Sequence, residues 1–227
     1  MLIASSLAVA LLASAALTAR PLATTPPFVV GVTVVSDIPP AMVTRVLREA
    51  GDIWHAAGVD VVWQRNTGTV AAKASVRVTI GNWTGAGMGA DKSMPLGWIV
   101  FTDGAPEHEI YVSYTNAVML LDEARGSTSP SYQMPRAERD TLLGRAMGRA
   151  MAHELGHFLL GSSAHSTRGL MRARRNATDF FSPDRSRFEM DSGEKATVAA
   201  RLTTPIVIAS RQPAATSHDP LGLGLIR

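Results

Sequence analysis

The sequence predicts one mixed α and β domain, α+β in class, with a twisted mixed sheet of about five strands packed on two helices. Three observations predict it. Short β-branched runs recur through the first half of the chain, FVVGVTVVS at 28–36 being the clearest. Two long stretches, 41–57 and 136–160, carry helical periodicity. The chain beyond 161 is polar and irregular and forms a small C-terminal part with one more helix.

The run at 28–36 has few polar positions, as expected of a strand buried on both faces. Pro39 and Pro40 suit a helix start, because the first helical turn has no use for the N–H that proline lacks. From Ala41 to Ala57, Met42, Val46, Ile53 and Trp54 recur at helical spacing, and Gly58 stops the helix. Residues 59–64 read as a second strand. Residues 75–80 alternate Val76, Val78 and Ile80 with Arg77 and Thr79, a strand with one wet face. A glycine-rich loop follows at 81–95, then strands at 97–102 (GWIVFT) and 110–114 (IYVSY), then a polar loop at 126–135. The longest helix is expected over 136–160. Within it Gly144, Gly148, Ala152 and Gly156 fall four apart and make one small stripe. Each glycine costs about 1 kcal/mol of helix propensity relative to alanine, so the stripe implies close approach of the sheet or the first helix. Ser182, Pro183 and Asp184 offer a start for the last helix, clearest at 194–202.

The ends differ in composition. Leu2 to Thr18 is apolar and uncharged, with Arg20 and Pro21 behind it. Residues 1–23 are therefore expected to be an export signal, with an uncleaved anchor as the alternative. The domain then spans 24–203, leaving no room for a folded inhibitory prosegment, and 204–227 is a loose tail. The protein is expected outside the cytoplasm, secreted or periplasmic, and free of the membrane once the signal is cleaved. A formal charge of +3, with no stripe of basic and aromatic residues, excludes nucleic acid as the expected partner. The absence of cysteine excludes disulfides, thiolate metal sites and cysteine nucleophiles. Arg172, Arg174 and Arg175 form the densest basic cluster and read as a solvated loop.

The chemistry concentrates in His153-Glu154-Leu155-Gly156-His157, an HExxH segment near the end of the long helix. Residues i and i+4 share a helix face, so both imidazoles can reach one ion. Glu154 stands one residue round the helix, placed to take a proton from a water activated there without ligating the metal. Leu155, Phe158, Leu159 and Leu160 make the surroundings apolar, where unpaired imidazoles would be costly to bury. A glycine and a third histidine follow in HELGHFLLGSSAH, ending at His165, and Gly169-Leu170-Met171 comes next.

Residues 152–171 resemble the active-site segment of the metzincin zinc metallopeptidases, particularly the small matrixin-like forms. The resemblance implies a metzincin-like zincin domain with one catalytic zinc ion. His153, His157 and His165 fall on the ligand positions, Glu154 on the general base, Gly161 on the turn and Met171 on the methionine beneath the metal. The sequence departs from that pattern by one extra residue on each side of Gly161. An extra helical residue rotates the exit by about 100°, so His165 depends on the extra loop residue to restore its direction. The resemblance also implies a peptide substrate lying extended along an edge strand, for which Gly97, Trp98, Ile99 and Val100 are the candidates. Leu170, Met171 and the loop after them would wall the pocket.

Asp179 is the other donor in reach as a third ligand, though Arg174 and Arg175 offer it salt bridges. His55 reads as a structural histidine; His108, in a charged loop, and His218, in the tail, read as solvated. Asp179, Asp184 and Asp191 lack calcium-loop spacing, and no nucleophile elbow or phosphate loop is present. The expected function is an exported zinc endopeptidase acting on peptide or protein substrates. A zinc amidase or deformylase-like hydrolase, with a narrow closed pocket, is one alternative. A non-catalytic zinc-stabilised module is another, although zinc binding alone does not require Glu154.

Overall fold

The structure is a computed structural model that describes residues 27–35, 37–65, 74–83, 95–126 and 129–203. The expected N-terminal signal or anchor, the tail and His218 lie outside the described residues. The elements are β1 (Phe28–Val34), α1 (Pro40–Ala56), β2 (Val61–Arg65), β3 (Val76–Gly81), β4 (Gly97–Thr102) and β5 (Ala105–Ser113). Then come α2 (Tyr114–Arg125), α3 (Arg136–Leu160), α4 (Ala177–Phe181) and α5 (Ser192–Thr203), with 3-10 turns at Ser131–Gln133 and Ser186–Phe188.

Five strands form one mixed sheet in the order β2-β1-β3-β5-β4. The pairs β1–β2, β1–β3 and β3–β5 are parallel; β4 runs antiparallel to β5 and forms an edge. The valine-rich β1 sits between two neighbours, and Val30 and Val32 are buried. They join Val78, Ile80, Ile110 and Val112 in one core with Met42, Val46 and Trp54 of α1 and Leu143, Met147, Met151 and Leu155 of α3. This is the mixed α and β class expected, with α1 and α3 as the two packing helices.

The small stripe of α3 resolves into two jobs. A Cβ on Gly144 would lie 2.7 Å from the Cβ of Arg45. One on Gly148 would lie 2.6 Å from the Cβ of Glu49 and 2.8 Å from the carbonyl oxygen of Val46. These two glycines let α3 cross α1 backbone to backbone, so the first helix, not the sheet, is the neighbour there. Gly156 serves a different contact, described below.

The same crossing buries a charge that the sequence did not announce. Arg149 is fully buried and pairs with Glu49 of α1, Nε to Oε1, at 2.9 Å. Its other N–H groups donate to the carbonyls of Asp179 at 2.5 Å and Asp184 at 3.0 Å. A guanidinium at such a depth is tolerated because its donors meet acceptors, and removing one partner would cost about 3–5 kcal/mol.

Several expectations are corrected. β5 begins at Ala105, so His108 lies in a strand rather than a loop; its Nδ1 sits 2.7 Å from the carbonyl oxygen of Ser75. The helix α2 was not expected. Ser113 ends β5 and caps α2, accepting from Asn116 N at 3.1 Å, so one residue belongs to both signals. The stretch after Gly161 contains the short helix α4, and the last helix starts at Ser192 instead of Ser182. Asp191 provides that start, its Oδ1 accepting from Glu194 N while Glu194 returns a carboxylate oxygen to Asp191 N, a reciprocal cap.

Gly148→Ala separates two opposing effects. Helix propensity favours alanine by about 1 kcal/mol, while overpacking against Glu49 and the Val46 carbonyl costs about 1–3 kcal/mol. Backbone atoms cannot yield as a side-chain tip does, so net destabilisation is expected, read as a lower midpoint in urea unfolding. An unchanged or raised midpoint would show that the helices are not in contact there.

Candidate metal centre and cleft

The site is built where α3 ends and the chain doubles back. Gly161 takes a left-handed conformation, φ 64° and ψ 33°, which glycine adopts without the Cβ penalty. Its N–H and that of Ser162 fold onto the last carbonyls of α3, Ser162 N donating to His157 O at 3.2 Å. The return loop closes through Ser166 N to Met171 O at 3.0 Å, and Leu170 N is held by Glu189 O at 2.9 Å. Leu170 and Met171 are buried beneath the site. Any Cβ on Gly156 would overlap Met171 Sδ, so this glycine is the seat of the methionine sulfur.

His153, His157 and His165 converge, with one ligand atom from each lying within 4.8 Å of the others. The extra residue before Gly161 and the one after it therefore offset each other. His153 and His165 stack at 5.3 Å, and His157 stands edge-on to both, at 4.7 and 4.8 Å. His153 Nδ1 lies 2.8 Å from Leu170 O, and His157 Nδ1 lies 2.8 Å from Ser162 O. A carbonyl only accepts, so each Nδ1 carries the proton and each Nε2 presents a lone pair. These two Nε2 atoms face each other at 3.1 Å. Two lone pairs at that distance repel unless a cation lies between them. The spacing approaches the roughly 3.4 Å that bonds of about 2.1 Å to a tetrahedral ion would set. The donor set fits a zinc-type ion: neutral nitrogen ligands, their tautomers held by carbonyls behind them.

Burial dominates the protonation of these groups. It pushes His153 down to about 4 against the opposing Leu170 carbonyl, and lowers His157 against the Ser162 carbonyl. Both rings are neutral at pH 7, the form that binds a metal. Burial raises the Glu154 carboxyl to about 8, opposed by a hydrogen bond from the Ile99 backbone. A cation held by the imidazoles favours the ionised carboxylate again.

The triad opens into a cleft of about 880 Å³. Gly97, Trp98, Ile99 and Phe101 of β4 line it on one side. Gly97 lets the strand close on Glu154, because a Cβ there would lie 3.1 Å from Glu154 Cγ. Val100, expected among the substrate-binding residues, is exposed and is not part of the wall. The register of β4 against β5 shifts between Ile99 and Phe101, and Phe101 turns inward, edge-on to His157 at 6.1 Å. Phe101 was not among the expected substrate-binding residues, although alternation from Gly97 through Ile99 puts it on the same face of the strand. Of the expected wall, the loop after Met171 lines the cleft through residues 172–175, while Leu170 and Met171 support the site from below.

Asp179 does not join the triad. Its Oδ1 pairs with Arg187 at 2.7 Å, so Arg187 rather than Arg174 or Arg175 takes the hydrogen-bonded salt bridge. His55 pairs with Asp60 at the surface. Arg175 is not a solvated charge: its guanidinium stacks 4.0 Å from the centre of the Phe188 ring. Arg149 was also missed. Its only signal in the sequence is a charge four residues before His153 in a stretch otherwise small and apolar.

At neutral pH, long-range proton–nitrogen NMR of the metal-free protein is expected to find His153 and His157 as Nδ1–H tautomers. An Nε2–H tautomer at both would remove the ligand geometry argued here.

No protein-family model matches the chain, and no curated protein matches it in sequence. Among solved structures it is similar to archaemetzincin from Methanopyrus kandleri, with a TM-score of 0.48, 12% identity, and coverage of 81% of this chain and 99% of that one. It is also similar to myroilysin, with a TM-score of 0.28, 14% identity, and coverage of 79% and 84%.

Proposed function

We propose that the chain is an exported zinc-dependent endopeptidase with Glu154 as general base and His153, His157 and His165 as ligands of one zinc ion. The observation that carries the reading is the pair of opposed Nε2 atoms beside a third imidazole, with a buried carboxylate on the next residue and a strand edge in the same cleft. The ion, when bound, would supply Lewis acidity toward a water and a peptide carbonyl. Glu154 holds and moves the proton: its carboxylate takes one from the attacking water and returns it to the leaving amine. The Ile99 backbone and the close wall at Gly97 fix the carboxylate in place.

An extended peptide is bound along β4. This strand is an edge, and among the described residues no strand pairs with its far side. Strand addition there places backbone hydrogen bonds along Gly97 to Phe101 and the scissile bond over the triad. An open cleft along a strand edge favours an endopeptidase over an amidase with a closed pocket. A binding module has no need of a carboxylate placed like Glu154.

Glu154→Gln is expected to keep one equivalent of zinc and lose turnover by about a hundredfold or more, because an amide cannot accept the proton. His165→Ala is expected to weaken zinc binding by about a hundredfold, while Asp179→Ala leaves it nearly unchanged. Zinc titration, peptide cleavage and circular dichroism on the three variants read these outcomes. Parent-like cleavage by Glu154→Gln would sink the mechanism, and parent-like zinc affinity in His165→Ala would sink the ligand set.

Export rests on the apolar run from Leu2 to Thr18. N-terminal sequencing of protein from a native-like host is expected to find a new terminus between Ala15 and Thr25. Intact Met1 on soluble cytoplasmic protein would reject export; intact Met1 on membrane-bound protein would indicate the anchor.

A further inference from the structure

The cleft runs on from the imidazoles past residues 172–175, and among the described residues its lining holds Arg149, Arg172, Arg174 and Arg175 against the carboxylates of Glu123 and Glu154. Glu49 is paired with Arg149 and Arg185, Asp52 with Arg185, and Asp179 with Arg187, all at 2.7 to 2.9 Å. Asp184 is turned to the N–H and hydroxyl of Ser186. Arg175 hydrogen-bonds no carboxylate among the described residues. It donates to the carbonyls of Gly169, of Leu170 at 3.3 Å and of Arg187 at 3.0 Å. Phe188 lies under it and also under Arg149, whose guanidinium is 4.6 Å from the ring centre. Carbonyl dipoles satisfy N–H groups without cancelling the charge. Burial lowers the Arg175 guanidinium to about 10; Asp179 opposes this, while Arg172, Arg149 and Arg187 add to it.

Arg172 is the second such cation. It is exposed on the cleft wall, and its side chain makes no hydrogen bond or ion pair among the described residues. Among the described residues, the carboxylate on the cleft wall besides Glu154 is that of Glu123 of α2, beyond Leu120 and Asn116. The position of the cations matters as much as their number. Leu170 O accepts from both His153 Nδ1 and Arg175, so the guanidinium begins one carbonyl away from the metal-binding ring.

We propose that the cleft recognises substrates carrying a carboxylate beside the bond to be cleaved, held by Arg172 and Arg175. The role of that bond rests on the peptidase reading; the carboxylate recognition does not. Of the five N–H donors of a guanidinium, Arg175 directs three at carbonyls and keeps about two for a ligand. Arg172 keeps its full fork, which matches a carboxylate in two-point geometry. An exposed arginine alone contributes little to binding in water. Beside a partly desolvated cation that hydrogen-bonds no carboxylate among the described residues, it becomes one arm of a site where an incoming carboxylate also relieves repulsion.

The test measures binding, so that it stands apart from turnover. Fluorescent peptides differing only by Glu against Gln at one position, scanned along a short frame with blocked termini, are bound to Glu154→Gln protein with and without zinc. A second set with a free C-terminus separates a terminal carboxylate from a side-chain one. At the recognised position Glu is expected to bind about tenfold tighter than Gln, less so at high salt. Arg172→Ala should abolish the preference and Arg172→Glu invert it, while Arg136→Ala, on the exposed start of α3, should keep it. Arg172→Gln serves if the alanine variant is poorly folded. Equal binding of Glu and Gln peptides at every position, or a preference that survives loss of Arg172, overturns the proposal. Acidic preference without cleavage by the parent chain would remove the peptidase reading and keep this one; cleavage without the preference would do the reverse.

Discussion

Two unprotonated imidazole nitrogens facing each other at 3.1 Å are the arrangement on which the rest of the site depends. Left to themselves they repel, and each ring would turn to find water or a donor. They stay because each Nδ1 is committed to a carbonyl, and because those carbonyls are held in turn. Ser162 O is placed by the helix stop at Gly161, and Leu170 O by a loop whose N–H is bonded to Glu189 and whose methionine fills the space at Gly156. The site is therefore paid for by the fold behind it, and a cation between the two nitrogens would relieve their repulsion.

The absence of side chains along α3 is as informative as their presence. Gly144 and Gly148 bring α1 close, which puts Glu49 where Arg149 can reach it. Arg149 then holds the carbonyls of Asp179 and Asp184, fixing the segment that carries Phe188 under the cleft. One turn further on, the same helix presents His153 and Glu154 to the cleft, and Gly156 admits the sulfur. Packing, charge burial and ligand placement thus follow one another along a single helix at intervals of about one turn, 3.6 residues.

The sequence disclosed those parts whose signal is local. Helix α3 was legible to its end residues, because its periodicity, its glycine stop and its histidine pair agree. β4 was legible as a strand from its composition, and as an edge only through what the family resemblance implies. The parts that were hidden depend on partners distant in the chain. α2 has only Asn116, Ala117 and Leu121 buried, too weak a stripe to show, and its cap was read as the end of a strand. Arg149 carries little local signal of its burial, because its partner Glu49 lies a hundred residues away in the chain. Val100 was expected in the cleft and Phe101 was not because four consecutive residues were taken together, whereas Gly97, Ile99 and Phe101, two apart, line the cleft and Val100 is exposed.

The one-residue excess on each side of Gly161 shows which feature of a ligand motif matters physically. The residue gained before the glycine extends the helix, and Phe158 and Leu159 are buried in the core, so the longer last turn is anchored rather than frayed. The exit is then rotated by about 100° relative to a helix one residue shorter. The residue gained after the glycine lengthens the return, and Ser162, Ser163 and Ala164 are small enough to make that return tight. Ser162 also supplies the carbonyl that orients His157, so the added length contributes an interaction as well as reach. His165 arrives within 4.8 Å of both partners. What the chain preserves is closure of three nitrogens on one point, and two compensating insertions satisfy it where either alone would misdirect the third ring.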